Sequence, residues 1–266
     1  MLSFAGPGPF AAEGITFRRE AAGHEIGNVV EVSGGEVSFR SCVFKGANQG
    51  AGLSISGSAT GVVEDCLATG AQWPARAGIE LREKSTVLVR GNECTKNAFG
   101  NLVLDEAQPI LEENTCTGNG AAGIGYQDEA GGVARDNECT ENGGFGIGVI
   151  GQSQPTLEGN TCTGNEAVGI VYANSAGGVA SENDCSRNGV YGIHVKNGAQ
   201  PLLEGNVCGE NEKTGIQYEQ SAAGEARRNE CWGNLVGIAV LNPADPRLED
   251  NDCHDNKGQD IRDQRD

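Results

Sequence analysis

The chain has 266 residues, 42 of them glycine and ten of them cysteine, and a formal charge of −18 at pH 7. Such acidity excludes nucleic acid as a partner, because phosphates call for clustered Lys and Arg, and it excludes an anionic membrane surface. Glycine at more than twice the usual ~7% without a triplet period indicates a turn-rich repeat, not collagen.

Residues 1–30 read as an entry coil. GITF (Gly14 to Phe17) and NVVEV (Asn28 to Val32) are short apolar alternations between polar turns, which is how strands read. MLSFAGPGPF has no basic n-region, so no secretory leader is expected there, and no stretch nears the ~20 apolar residues of a membrane span. VSFRSCVF (Val37 to Phe44) and VVEDCLATG (Val62 to Gly70) form two further irregular coils; each keeps a cysteine, with Arg40 and Glu64 standing where Asn is found later. Cys42 and Cys66 are expected to head the cysteine column described next. A bulged turn is expected over AQWPARA (Ala71 to Ala77), making residues 1–86 an irregular N-terminal portion of one domain, 1–266.

From Val87 to Asn256 the skeleton N-x-C-x-x-N…G-I-x-(V/Y) returns every 22 or 23 residues, as in NTCTGNEAVGIVY from Asn160. Asn stands at 92, 114, 137, 160, 183, 206, 229 and 251, Cys two places later, and a second Asn at 97, 119, 142, 165, 188, 211, 234 and 256. A fixed period of this length marks a solenoid. Ile and Val favour strands, and Gly or Asn breaks each run after a few residues. A unit this short therefore holds three strands and three turns, not a helix pair. The predicted fold is all-β, a single-stranded right-handed parallel β-helix of about 10–11 coils, closed by a polar cap or tail at 257–266. Residues two apart share a strand face, so Asn and Cys point inward as stacked columns and Thr115, Glu138, Thr161 and Asp184 point outward. One cysteine per coil is a buried hydrophobe, not a zinc tetrahedron; reduced thiols in this number suggest a cytoplasmic setting. The core also alternates over two coils: Leu111, Leu157 and Leu203 against Ala134, Ala180 and Ala226, and Tyr126, Tyr172 and Tyr218 against Val149, Val195 and Val240. Each Tyr leads into a small Ala and each Val into a large Leu, which conserves core volume.

PTLEGNTCTGN…GIVY followed by GGVASENDCSRN…GIHV resembles the right-handed parallel β-helix repeats of the pectin-lyase-like superfamily. The likeness is greatest to the carbohydrate-binding and sugar-hydrolase type, found also in a substrate-receptor F-box protein of animals. It covers about residues 10–260. It implies the fold, and a binding groove along one outward sheet and its turns; since this fold hosts lyases, hydrolases, epimerases and pure binding arrays, it does not imply one activity. No F-box segment is present in the chain to carry over a ubiquitin-ligase role.

Acids and bases on outward positions are the candidates for chemistry. Four residues past the Ile or Leu of G-I-x-V, a column reads Glu83, Glu106 and Asp128, flanked by Asp105 and Glu129. Stacked carboxylates repel and suit calcium, and the resemblance pairs such an ion with a base in polysaccharide lyases, here Arg82 or Lys84 beside Asp105. The plainer reading is of splayed turn residues neutralised by Arg82 and Lys84. YGIH (Tyr191 to His194) is similar to the tyrosine-led motif of alginate epimerases but lacks its aspartate and second histidine; His194, Lys196, Gln217 and Glu219 form a second binding candidate, with His194 expected to be solvent-exposed. The threonine column Thr95, Thr117, Thr140 and Thr163 is interrupted alongside by Glu93, Glu138 and Asp184, which spoils a flat ice-matching array. No catalytic residue stands out beyond these. The leading expectation is a non-catalytic recognition or scaffold module for a protein or polysaccharide partner, possessing no cofactor; the alternative is a calcium-assisted polysaccharide lyase or related glycan-active enzyme.

Overall fold

The computed structural model describes residues 1–19, 27–47, 49–71 and 76–265, so most of the bulge expected over 71–77 lies outside the described residues. The chain winds as a parallel β-solenoid of about eleven turns with no helix among the described residues. Each coil contributes one strand to each of two long sheets, and the coils near the two ends add a strand on a third side. The long sheet has twelve strands among the described residues, from Leu2–Ala5 to Gln259–Asp263, so the polar C-terminal segment ends as an exposed strand. The second sheet has eleven, from Phe10–Glu13 to Arg247–Glu249. The third begins at Thr16–Arg18, thins to single bridges from Thr115 to Glu230, and ends at Asp252–His254.

Corners are turned in the left-handed region. One corner carries Glu83, Asp105, Asp128, Asn174, Asn197 and Gln220, another Asp65, Glu113, Asp136, Glu182 and Arg228, and the third Lys96, Glu141, Arg187, Glu210 and Asp255, all at φ between 53° and 65°. A single left-handed residue reverses the chain sharply enough for three faces to close around one core. The core is a set of in-register columns: Ile124, Ile147, Ile170, Ile193, Ile216 and Ile238 stack in the long sheet, and the Leu/Ala and Tyr/Val alternations pair directly (Leu111 with Ala134, Tyr126 with Val149). All of these side chains are buried.

Both asparagine columns are hydrogen-bonded ladders. Asn160 Nδ2 donates to Ala134 O (2.9 Å) and Asn183 Oδ1 (2.9 Å), while its Oδ1 accepts from Asn137 N (3.1 Å) and Nδ2 (2.9 Å). Asn165 repeats the arrangement with Cys139 O, Asn188 and Asn142. Buried backbone groups at the corners thus find partners that the strands cannot give them.

The cysteines are free, and all but Cys253 are buried. Burial pushes the Cys139 and Cys185 thiols well above the ordinary range, which keeps them protonated and inert. One expectation is corrected: Cys94 pairs with Ala68, and Ala68 with Phe44 and Phe44 with Phe17, so the cysteine column continues upstream through Ala and Phe. Cys66 and Cys42 stand two residues earlier, at the head of the first asparagine column, where Asn92 Oδ1 accepts from Cys66 N at 2.9 Å. The larger aromatic side chains of the entry coils fill the volume that cysteine fills later, and Phe17 and Phe44 stack with centroids 5.5 Å apart.

Candidate functional site

Along the outer side of the long sheet one column forms the floor of a trough. It reads Glu31, Ser54, Glu80, Leu102, Gly125, Gly148, Val171, His194, Gln217 and Ala239 in register. Leu102 packs with Ala77, Leu104 and Phe99 in a cluster separate from the main core, which fixes the column's outward direction. Yet Ser54, Glu80, Leu102, Val171, His194, Gln217 and Ala239 are all buried. The flanking columns cover them: Ala77, Phe99, Ala122, Phe145, Val168 and Tyr191 on one side, and Arg82, Leu104, Ile150, Ala173, Lys196 and Glu219 on the other. The floor is apolar in its middle and polar at two places five coils apart, about 24 Å at the ~4.8 Å spacing of strands.

The first polar place surrounds Glu80, which is only 2% exposed. Its carboxylate accepts from Ser54 Oγ (3.1 Å) and Arg76 Nη1 (3.3 Å), with Arg82 Nη1 at 3.9 Å. A buried carboxylate needs such partners to stay charged. It faces a cleft of about 340 Å³ lined by Asn28, Glu31, Gln49, Arg76, Arg82 and Glu83 among others. Sequence reading found Arg82 and Glu83 but missed Glu80 and Arg76. The signal was the charge in GIEL, at a position that the next four coils fill with Leu, Gly, Gly and Val.

The acidic turn column is shifted from its expected register. Asn101, not Leu102, pairs with Ile79 and Ile124, so Asp105 joins Glu83 and Asp128 while Glu106 lies one residue outside. Asn101 is buried because Cys94 Sγ donates to its Oδ1 (3.4 Å) and its Nδ2 donates to Cys116 Sγ (3.5 Å). The three carboxylates do not converge. Each accepts from a backbone N–H of the coil before it: Glu83 from Gly57 (2.9 Å), Asp105 from Glu83 (3.2 Å) and Asp128 from Asp105 (3.4 Å). Among the described residues no three Asp, Glu, His or Cys are grouped to hold a metal, so these carboxylates do not fit a resident calcium as they stand. Arg82 Nε lies 3.5 Å from Asp105, and Lys84 Nζ 3.5 Å from Glu106 in an exposed pair.

The second polar place surrounds His194. The side chain expected in solvent is 6% exposed, because Tyr191 lies against it at a centroid distance of 4.8 Å and neighbouring coils flank it with Val171 and Gln217. Its Nε2 is 3.2 Å from Glu219 Oε1 but is not aligned for a hydrogen bond, so it has no hydrogen-bond partner in the protein. Burial and the Lys196 charge lower its pKa, against the opposing pull of Glu219, so the imidazole is neutral at pH 7. Tyr191 is shifted upward by burial and by Glu219, which keeps its phenol protonated. The result is a neutral base, a phenolic acid and an ammonium together on the trough floor and its rim.

The model of the right handed beta helix region matches residues 16–161 and 121–253. The chain belongs to this family. Among curated proteins none matches this β-helix chain. Among solved structures it is similar to the periplasmic alginate epimerase AlgG, with a TM-score of 0.71 and 18% identity over 85% of this chain and 60% of that one. It is similar also to the mannuronan C-5 epimerase AlgE4 A-module of Azotobacter vinelandii (TM-score 0.61, 14% identity, 96% and 87% covered) and to pectate lyase Pel9A (0.57, 14%, 85% and 70%). At these identities the likeness shows a shared fold, and the chain spans about 60% of the length of AlgG.

Proposed function

We propose that this β-helix binds a polysaccharide along the trough of the long sheet and carries out proton transfer on it at His194. The observation that carries the reading is a buried imidazole on the outer face of the long sheet whose Nε2 has no hydrogen-bond partner in the protein. A glycan lying over the floor reaches that nitrogen once the Tyr191 or Glu219 side chain beside it swings aside, and a depressed pKa leaves the nitrogen able to accept a C–H or O–H proton. Lys196 beside it favours a sugar that bears a carboxylate, whose negative charge grows as the α-proton leaves. The fold neighbours named for alginate, mannuronan and pectate support that class of substrate. In this scheme His194 Nε2 takes the proton as the C–H electron pair moves into the sugar carboxylate. That pair then returns to form the C=C bond and break the neighbouring C–O bond, and the Tyr191 phenol, on the same side of the substrate as His194, protonates the departing glycosidic oxygen.

The test is incubation with alginate and polygalacturonate, following the anomeric protons by NMR and unsaturated products by ultraviolet absorbance. Turnover reduced about 10²–10⁴-fold in His194→Gln is the expected result. No turnover of either polymer by the unmodified chain, together with no retardation in affinity electrophoresis, would refute it. The regularity of the coils from Val87 onward favours a second reading, recognition without chemistry. Binding without turnover, unaffected by His194→Gln, would select that reading.

A further inference from the structure

The outer face of the second sheet carries a pattern that the trough does not use. Reading down the stack, one column runs Glu13, Arg40, Glu64, Arg90, Glu112, Arg135, Glu158, Ser181, Glu204, Arg227, Glu249, alternating in charge with a single break at Ser181. Within the chain these side chains pair: Arg40 and Arg90 with Glu64, Arg135 with Glu112 (3.0 Å), and Arg227 with Glu204 (2.7 Å). Beside it, two residues away, runs an apolar strip of Val62, Leu88, Ile110, Val133, Thr156, Val179 and Leu202. None of the strip is fully buried, and Ile110 is 40% exposed.

We infer that this face is a two-fold interface with a second copy of the chain, the two solenoids running antiparallel. A two-fold axis along the strand direction, between the coils of Ile110 and Val133, sends each column onto itself in reversed order. An alternating column reversed about a point between adjacent coils meets opposite charges at every level but one: Glu112 faces Arg135 of the second copy, Arg90 faces Glu158, Arg40 faces Glu204 and Glu13 faces Arg227, while Glu64 faces Ser181. The same operation sets Ile110 on Val133 and Leu88 on Thr156, at the ~10 Å separation of packed sheets. An axis passing through a coil would set like charges together. The alternation therefore favours a second copy and restricts the axis to positions between coils, and centring it beside Ile110 puts the most exposed residue of the apolar strip at the middle of the contact. Charge balance points the same way: a chain of net −18 repels itself over most of its surface, as where the third sheet presents Glu93, Glu138, Asp184, Glu230 and Asp252, but this ladder is nearly neutral. The ladder and the trough lie on different sheets, so pairing leaves the trough open.

The test uses the full chain in sedimentation equilibrium over about a hundredfold range of concentration, with the variant Leu88→Cys/Thr156→Cys treated with a short bismaleimide linker. Leu88 and Thr156 lie three coils apart within one chain, about 14 Å, whereas across the axis they face each other at the ~10 Å sheet separation, too far for a direct disulfide but within the span of a linker too short for the gap within one chain. A concentration-dependent dimer that weakens with salt, a covalent dimer in the double variant and none in the unmodified chain are the expected results. Ile110→Asp should abolish the dimer while leaving the circular dichroism melt nearly unchanged. A monomer at every concentration overturns the inference, as does a dimer that survives Ile110→Asp or that the double variant fails to crosslink.

Discussion

The asparagine ladder predicts a sharp difference between central and terminal coils. Replacing Asn160 by Ala removes four hydrogen bonds in a fully buried setting. Two groups keep a second partner: Asn137 Nδ2 still reaches Leu111 O, and Asn183 Oδ1 still accepts from the residue 160 N–H. The Asn137 backbone N–H is left without its acceptor, which costs about 1–3 kcal/mol, and the other lost bonds add about 0.5–1.5 kcal/mol each. Allowing for incomplete additivity, the expected loss is about 3–5 kcal/mol. Asn251, in the last ladder position, makes three equivalent bonds but is only half-buried, so water replaces part of what Ala removes and about 1–2 kcal/mol is expected. Urea unfolding followed by circular dichroism measures both. Because coils contact only their neighbours, the Asn160 lesion should also lower the denaturant slope by uncoupling the two halves. A cost below about 1 kcal/mol for Asn160→Ala, or one no greater than that of Asn251→Ala, would refute the claim that the ladder holds the stack.

Other consequences are directly measurable. Ser181→Arg restores the alternation between Glu158 and Glu204 and should stabilise the chain by about 0.2–1 kcal/mol in low salt, an effect that high salt should erase. The hydroxyls of Tyr126, Tyr172 and Tyr218 are buried without a hydrogen-bond partner in the protein. Tyr172→Phe should therefore be neutral or stabilising by up to about 1–2 kcal/mol, and a loss above about 1 kcal/mol in thermal melts would show that the hydroxyl is bonded after all. The His194 pKa is lowered in the fold, so the unfolded chain binds more protons; stability falls as pH drops through about 6.5 toward the folded value. His194→Gln should remove that part of the acid sensitivity, leaving the contribution of His254, which is shifted upward by Asp255 and Glu230 and acts with the opposite sign. Identical pH–stability curves for the two proteins would contradict it.

The period, the inward Asn and Cys columns and the two-coil volume alternation were all legible in the sequence, because inward positions in a parallel stack repeat with the same chemistry. Register was lost where one residue breaks the type: Asn101 in an isoleucine column displaced the acidic turn by one, and Ala68 with Phe44 hid the head of the cysteine column behind Cys66 and Cys42. The burial of His194 could not be read from its outward parity, since it depends on Tyr191 and on the flanking coils packed around it. Glu80 was missed for the same reason. The charge ladder was written in the alternation of LExN with VARDN coils, but a search for convergent acids passes over acids spaced by arginines.

The two-coil alternation also bears on how such a chain can change length. A coil whose Tyr is followed by a large Leu at the next coil's seam would overfill the core, and Val followed by Ala would leave a void. Adding or removing one 23-residue coil creates one of these faults at the junction, while adding or removing two does not. The heritable unit of growth is therefore the pair. The solenoid should vary among its relatives in steps of two coils, about 10 Å of length at a time.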